Sequence, residues 1–374
     1  MTVFARSDTS ILGRWWWTVD RWTLTAVGAL IAFGIIMALA ASPAVAERIG
    51  LDYFYFARRQ LIYLPVALAL MMGASLLSPT GVFRAAMVTL VIFTMLVVAT
   101  FFMGTEIKGA RRWIGLGPIS VQPSEFLKPA FAVVAAWLFA SARTGAIRHG
   151  NLIAIAAFGT IVGLLLLQPD VGMAVVISAV WSAQFFLAGL PLYWAALLVV
   201  GGAGALVAAY FTLHHVASRI DRFLDPSSGD SYQVDRSLEA FMNGGLFGRG
   251  PGEGTVKEVL PDAHSDFVFA VAGEEFGLFV CLIIVGLFAF VVLRGFARAI
   301  QETDLFVLLA TSGLLVQFGL QAVINMGSTL RLMPTKGMTL PFVSYGGSSL
   351  IAMGLCVGFL LALTRKRVGA EMLR

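Results

Sequence analysis

Ionisable side chains are scarce in the apolar stretches of this chain, and those present gather toward one end of them. Glu125 and Lys128 stand one helical turn apart at the start of an apolar run, so they share a helix face. Glu274 and Glu275 fall about two turns into a later run, and Asp170 closes the tripeptide Gln168-Pro169-Asp170 between two others. An ionisable residue inside a membrane span is costly and marks a functional site by default. Three segments converge on the same end. The first is Gly109-Ala110-Arg111-Arg112-Trp113, followed by Gln122-Pro123-Ser124-Glu125. The second runs from Glu258 to Phe267 and holds Asp262, His264 and Asp266. The third is Pro334-Thr335-Lys336-Gly337, followed by Pro341 to Ser349 with Ser344 inside it. Arg and Lys side chains here can neutralise a phosphate or pyrophosphate. An aspartate at a helix start beside a cleft can act as a general base.

Each of these residues also has a structural reading. Asp266 is equally placed to be an N-terminal helix cap, worth about 0.5–2 kcal/mol. Arg111 and Arg112 can be head-group anchors. His214-His215 lacks a third ligand at zinc spacing, and a lone His264 is more often structural. Gly346, Gly347, Ser348 and Ser349 suit close helix packing better than chemistry, as do Gly354 and Gly358. The glycine run 244–254 follows no strand and precedes no GK[ST], which argues against a nucleotide loop. It reads as a mobile loop, or as a nest of backbone N–H groups for an anionic head group.

The elements that must position these groups are set by composition. The 374 residues are 59% hydrophobic and 13% charged, far below the roughly 25% charge of a soluble domain. Apolar runs span 24–41, 60–77, 82–103, 124–140, 152–167, 171–188, 192–213, 267–293, 305–326 and 340–363. A helix needs roughly 20 apolar residues to cross a bilayer, so the expectation is an all-α polytopic protein with about ten transmembrane helices. The run at 24–41, although followed by Ala44-Val45-Ala46, reads as the first span and not as a removed signal peptide. Trp15, Trp16, Trp17 and Trp22 read as an interfacial belt before it. Cys281 and Cys356 lie mid-span as buried small hydrophobes, with no disulfide framework. No basic block is long enough for nucleic acid.

Ten spans put both termini on one face. Its connecting segments are short and basic, ending in Arg365-Lys366-Arg367, which points to a cytoplasmic N-terminus over 1–23 and C-terminus over 364–374. The other face then carries the long loops: 104–123, a large extracytoplasmic loop at 214–266 between helices seven and eight, and 327–339. Val234, Leu238 and Phe241 predict a short amphipathic helix on the membrane surface within the large loop. The polar groups therefore line a pocket open to the outer leaflet of one membrane domain, 1–374.

The segments Gly109–Lys128, Phe223–Gly254, Glu258–Gly277 and Met333–Ser349, in that order, closely resemble signatures of the SEDS family of bacterial peptidoglycan polymerases. Ala110-Arg111-Arg112-Trp113 and Pro334-Thr335-Lys336-Gly337 resemble its division-type FtsW branch more than the elongation-type RodA branch. The resemblance implies an inverting glycosyltransferase of the bacterial inner membrane that polymerises lipid II into β-1,4 glycan during septal wall synthesis, with its site facing the periplasm. The family's catalytic aspartate maps onto Asp266, an activity-linked glutamate onto Glu258, and a lysine near the pocket onto Lys336. Arg111, Arg112, Lys128 and Lys336 would hold pyrophosphates, and Trp113, Gln122, Ser124, Glu125, Gln233, His264 and Ser344 complete the substrate-binding set. The resemblance also implies a divalent cation, Mg²⁺ or Mn²⁺, with Glu125 and Glu258 as candidate oxygen ligands. The implied partners are lipid II, an undecaprenyl-pyrophosphate-linked glycan, a class B penicillin-binding protein transpeptidase and other divisome proteins. The alternatives are a lipid II flippase, which needs a continuous polar path, and a non-catalytic scaffold recruiting a transpeptidase.

Overall fold

A computed structural model describes residues 10–107, 110–117, 119–189, 192–212, 214–224 and 232–366. Each of the ten apolar runs contains a helix. A short helix, α1 (Ile11–Thr18), lies before the first span, with Trp15 buried in the core and Trp22, in the next helix, exposed. The spans begin with α2 (Arg21–Arg48), α3 (Tyr55–Ser75) and α4 (Pro79–Met103). After a small sheet come α5 (Pro123–Arg143), α6 (Gly150–Leu167), α7 (Val171–Leu187) and α8 (Leu192–Thr212). The large loop forms α9 (His214–Leu224), α10 (Tyr232–Gly244) and α11 (Val256–Val259), while 225–231 lies outside the described residues. The bundle closes with α12 (Val268–Ala299), α13 (Leu305–Thr329) and α14 (Gly347–Leu363). Six of these helices are long and apolar enough to span a bilayer outright, and α7, α14 and part of α8 are shorter apolar helices.

The most polar of the six is the most enclosed. Nearly every residue of α5 is buried among α4, α6, α7, α13 and α14, whereas α4 and α6 turn most of their surface outward. In a bilayer this is the expected sorting, because helices facing lipid must be apolar all along that face while polar groups need protein partners. On α14 the glycine reading holds. A Cβ on Gly354 would stand 2.6 Å from the Ala67 carbonyl oxygen, and one on Gly358 2.7 Å from both the Met71 carbonyl oxygen and the Ala74 Cβ, so α14 and α3 meet backbone to backbone.

The two chain ends meet on one face, as ten crossings require. The Lys366 amide donates to the Thr18 carbonyl at 3.0 Å. Asp20 caps α2 and receives a two-pronged bond from Arg294 at 2.8 and 2.9 Å, with Arg298 3.1 Å away.

The opposite face departs from the sequence reading in three places. The segment expected as a loop at 104–123 folds into an antiparallel sheet of β1 (Thr105–Ile107), β2 (Ala110–Leu116) and β3 (Ile119–Val121). The run 340–363 becomes helical only at Gly347. Residues 340–346 are irregular, and their exposed backbone is sheltered inside the bundle, where Gly34 of α2 lies against the Phe342 carbonyl. Third, the predicted amphipathic helix exists as α10 and is docked on the bundle. It packs on α12 and α13 through the small residues Ser237, Ala240 and Gly244, and Phe241 meets Phe269 with ring centroids 5.6 Å apart.

The glycine run is docked, not mobile. Helix α12 is two helices joined at Gly277, whose φ of 76° and ψ of −177° suit glycine alone. The break frees backbone groups, and the glycine run satisfies them. Arg249 and Gly250 N–H groups donate to the Glu274 and Glu275 carbonyls, while Leu278 N–H donates to the Gly245 carbonyl.

Candidate active site

Four consecutive residues, 336–339, join the polar groups that the sequence scatters over 230 positions. Lys336 Nζ reaches Asp170 Oδ1 at 3.0 Å, its stem lying flat over Gly172. Gly337 faces Asp266 so closely that a Cβ there would stand 2.8 Å from Oδ2. The Met338 carbonyl accepts from Asn325 Nδ2 at 2.6 Å, and the Thr339 carbonyl from Gln321 Nε2 at 3.1 Å. Gln321 passes the connection inward, since its Oε1 accepts from Lys128 Nζ at 2.7 Å. Lys128 also pairs with Glu125 at 2.8 Å, as one-turn spacing on α5 requires.

Asp170 is the hub of this network, and it was not among the expected site residues. It is buried, caps α7 through the Met173 N–H at 3.3 Å, and stands 3.9 Å from Arg112 Nη1. Burial raises its pKa, but the charges of Lys336 and Arg112 outweigh this and hold the carboxyl below its usual range. Lys336 is shifted down too, chiefly by burial and further by Lys128 and Arg112, with Asp170 opposing. The cluster sets three cations, Arg112, Lys128 and Lys336, against three carboxylates, Glu125, Asp170 and Asp266, so its formal charges balance.

Arg111 and Arg112, expected to act together, are separated by the pleat of β2. Successive side chains on a strand point to opposite faces. Arg112 turns inward, donating to the Gln168 and Pro169 carbonyls at 3.1 and 2.5 Å as well as facing Asp170. Arg111 is exposed and lies 3.6 Å from Glu106. Trp113 is half-buried on β2.

Asp266 is not a helix cap: the cap position of α12 belongs to Phe267. Asp266 lies in a tight turn in which the Asp262 carbonyl accepts from the amides of Ser265, Asp266 and Phe267, with Asp262 at φ 54°. Three successive carbonyls of that turn are held from outside. His264 O accepts from the Tyr345 amide at 2.9 Å, Ser265 O from Ser344 Oγ at 2.6 Å, and Asp266 O from Asn325 Nδ2 at 2.9 Å. Ser344 also accepts from the Leu340 amide at 2.8 Å, so its hydroxyl ties the loop before α14 to the turn at 262–267. His264 stacks on Phe56 at 4.1 Å, and burial, aided by Arg48, pushes its pKa down to about 4 against the pull of Asp262. It is a neutral aromatic at pH 7, not a cation.

The remaining expected residues divide. Gln122 receives support from Ser348 Oγ at its amide and bonds Ser124 Oγ at 3.2 Å, beside the start of α5. Gln233 lies half-buried on α10. Glu258 is exposed and lines a different cleft of about 570 Å³ with Glu47, Arg48, Lys257 and the outer end of α2. Glu274 and Glu275 serve the fold. Glu274 Oε1 accepts the Thr255 and Val256 amides at 2.9 Å each, and Glu275 pairs with Lys257.

Among the described residues, no three His, Cys, Asp or Glu side chains converge as a metal cage. Glu125 is committed to Lys128, and Glu258 sits at an open rim. Those two carboxylates form no such cage among the described residues.

Besides Asp170, the sequence reading missed Gln321 and Asn325. Their signal is an amide repeated at four-residue spacing on an otherwise apolar helix.

A family model described as a cell cycle protein, FTSW_RODA_SPOVE, matches residues 21–368. The chain is 46% identical to a probable peptidoglycan glycosyltransferase FtsW of Caulobacter vibrioides, over 98% of this chain and 94% of that one. It is 38% identical to a protein of the same description from Coxiella burnetii, over 92% and 96%. Among solved structures, a chain from a peptidoglycan synthase complex that coordinates polymerization and crosslinking superposes with a TM-score of 0.73 at 29% identity, covering 92% of this chain and 97% of that one. The rod shape determining protein RodA of Thermus thermophilus gives 0.69 at 30% identity, over 93% and 97%.

Proposed function

Since the chain belongs to the FtsW, RodA and SpoVE family of cell cycle proteins, we propose that the junction at 336–339 is the active site through which it extends glycan on lipid II. It is a multi-pass membrane protein and a peptidoglycan glycosyltransferase of the FtsW type. The observation that carries the assignment is the placing of the Asp266 carboxylate against Gly337, next to Lys336 and its cationic neighbours.

In this reading Asp266 takes the proton from the acceptor sugar hydroxyl as that oxygen attacks the donor's anomeric carbon. The bond to the undecaprenyl pyrophosphate breaks on the opposite side, inverting the α-linkage to a β-1,4 bond. The leaving pyrophosphate gains negative charge as Asp266 is neutralised by the proton it takes, which leaves the charges of Arg112, Lys128 and Lys336 in excess to stabilise it there. Arg111, on the outer face of β2, is a head-group anchor and not part of this cluster. The family resemblance implies Mg²⁺ or Mn²⁺, but the described side chains supply no cage, and no step is routed through a metal. The site faces the periplasm and both termini are cytoplasmic, which the basic termini-side segments support. A class B penicillin-binding protein transpeptidase is the proposed partner, in keeping with the synthase complex that this chain resembles.

Purified protein with its transpeptidase partner and labelled lipid II tests the reading. Glycan chains should form, and Asp266→Asn should slow them by about 10²–10⁴-fold, the usual worth of general-base catalysis. Detergent melting should hardly change, because Asp266 does not cap α12. Near-parent polymerisation by a folded Asp266→Asn protein would remove Asp266 from the mechanism. Lipid movement without chain formation by the parent would favour a flippase.

A further inference from the structure

We infer that Asn325 and Gly337 are positioning residues for Asp266, fixing where its carboxylate stands relative to the cationic cluster. This rests on the reading of Asp266 as the base. Asn325 is wholly buried on α13 and contributes one amide group. The two protons of that amide go to two carbonyls, those of Asp266 at 2.9 Å and Met338 at 2.6 Å. One side chain therefore ties the backbone of the base to the residue following Gly337. Of the three donors that hold the turn at 264–266, Tyr345 and Ser344 belong to the loop before α14. Asn325 is the one that anchors the turn to a membrane-spanning helix, and it does so at the residue carrying the base.

Gly337 acts on the other end of the same side chain. With no Cβ, it lets Asp266 Oδ2 approach its backbone, and any larger residue must push the carboxylate away, since a Cβ would stand 2.8 Å from Oδ2. Asn325 and Gly337 thus hold Asp266 at its carbonyl and at its carboxylate, through the single short segment 337–338. The same segment continues from Lys336, which is fixed to Asp170. The distance from base to cation is in this way set by three covalently successive residues docked onto α13 and α7. Displacing a reacting group by about 1 Å can cost 10²-fold in rate, so a geometry this tightly held is one the reaction uses.

The experiment uses the full chain with its transpeptidase partner and labelled lipid II. Asn325→Leu keeps the size and removes both donors. Gly337→Ala removes no hydrogen bond and moves the carboxylate directly. Each is measured alone and combined with Asp266→Asn, for kcat, KM, the pH dependence of the rate, and detergent melting. Each single variant should lower kcat by about 10–100-fold, leave KM for lipid II within about threefold, and shift the acid limb of the pH–rate profile. Combined with Asp266→Asn, neither should cause a further loss, because the group they position is already disabled. Losses that multiply in full in the Asp266→Asn background, or single variants with parental kcat and pH profile, would overturn the inference. Should Asn325→Leu melt too low to assay, Gly337→Ala decides the matter on the same measurements. A parental rate for Asp266→Asn alone is a different failure: it sinks the base assignment first and this inference with it.

Discussion

Replacing Lys336 by Met separates a structural cation from a free one. Met preserves the stem that lies over Gly172 and deletes only the charge 3.0 Å from Asp170. Asp170 exposes 2% of its side chain and Lys336 17%, so the carboxylate carries most of the cost when the pair is broken. Removing one partner of a buried pair costs about 3–5 kcal/mol. Here Arg112 stays 3.9 Å from the other carboxylate oxygen, which brings the expected loss to roughly 2–3 kcal/mol. In a chain of 374 residues that corresponds to a fall of about 2.5–4 °C in detergent melting. Asp170→Asn keeps the cap on the Met173 amide and leaves Lys336 without its anion, so it should also destabilise. The double variant buries neither charge and should recover most of the loss, a coupling of about 1–3 kcal/mol. Melting curves of the four proteins measure this directly. Polymerisation at subsaturating lipid II should stay low wherever Lys336 is missing, stable or not. If Lys336→Met melts within about a degree of the parent, the pair does not hold the site together. Lys336 would then be the free phosphate contact that the sequence suggested.

His264, with a folded pKa of about 4 against 6.5 unfolded, binds fewer protons folded than unfolded between those values. Its contribution is complete above pH 6.5 and lost as pH falls toward 4, amounting to about 3 kcal/mol. His264→Phe, which can keep the stack on Phe56, should flatten that part of a melting-versus-pH curve; an unchanged slope would refute the assignment. Gly277→Ala forces a side chain into a glycine-only conformation, with its Cβ 2.4 Å from the Gly248 amide nitrogen. It should cost at least about 1–3 kcal/mol and expose the 244–254 run to protease, and parental melting would show that the break in α12 is not held as described. For sidedness, single cysteines at Lys108 and Ser231, both outside the described residues, should react with an impermeant thiol reagent in spheroplasts. One at Arg143 should not, and the reverse pattern would invert the topology.

The helices were legible because hydrocarbon demands long apolar runs, and every such run in the sequence holds a helix, although that of 340–363 begins only at Gly347. The close packing of Gly354 and Gly358 was legible for the same reason: small residues on a span have few other uses. The sheet was not, because β1, β2 and β3 are stabilised by pairing with one another and carry no clear alternation of their own. Missing it merged Arg111 with Arg112, which the pleat sends to opposite faces. Asp170 was visible as a costly group in a hairpin, but its role depends on Arg112 and Lys336, which lie far from it in the chain, Lys336 by 166 positions. Asn325 and Gln321 were not singled out in the sequence, because their role depends on the carbonyls of 338 and 339 that stand against them. The glycine run looked mobile because sequence shows that glycines are permissive, not which backbone they will pair with. Asp266 was singled out from type and position, and the structure puts it in the turn before α12, whose cap position is Phe267.

The contact between α14 and α3 has an evolutionary consequence. A packed interface built from side chains can drift, because one residue may shrink as its neighbour grows. At Gly354 and Gly358 there is no side chain to trade, and the facing atoms include main-chain oxygens common to every amino acid. A larger residue at either site cannot be compensated by any change of identity on α3; only a shift of the whole helix would admit it. Such a shift would carry along the segment 336–346 that leads into α14. These two positions, remote from the chemistry and without functional groups, should therefore accept less variation than most residues that touch the substrate.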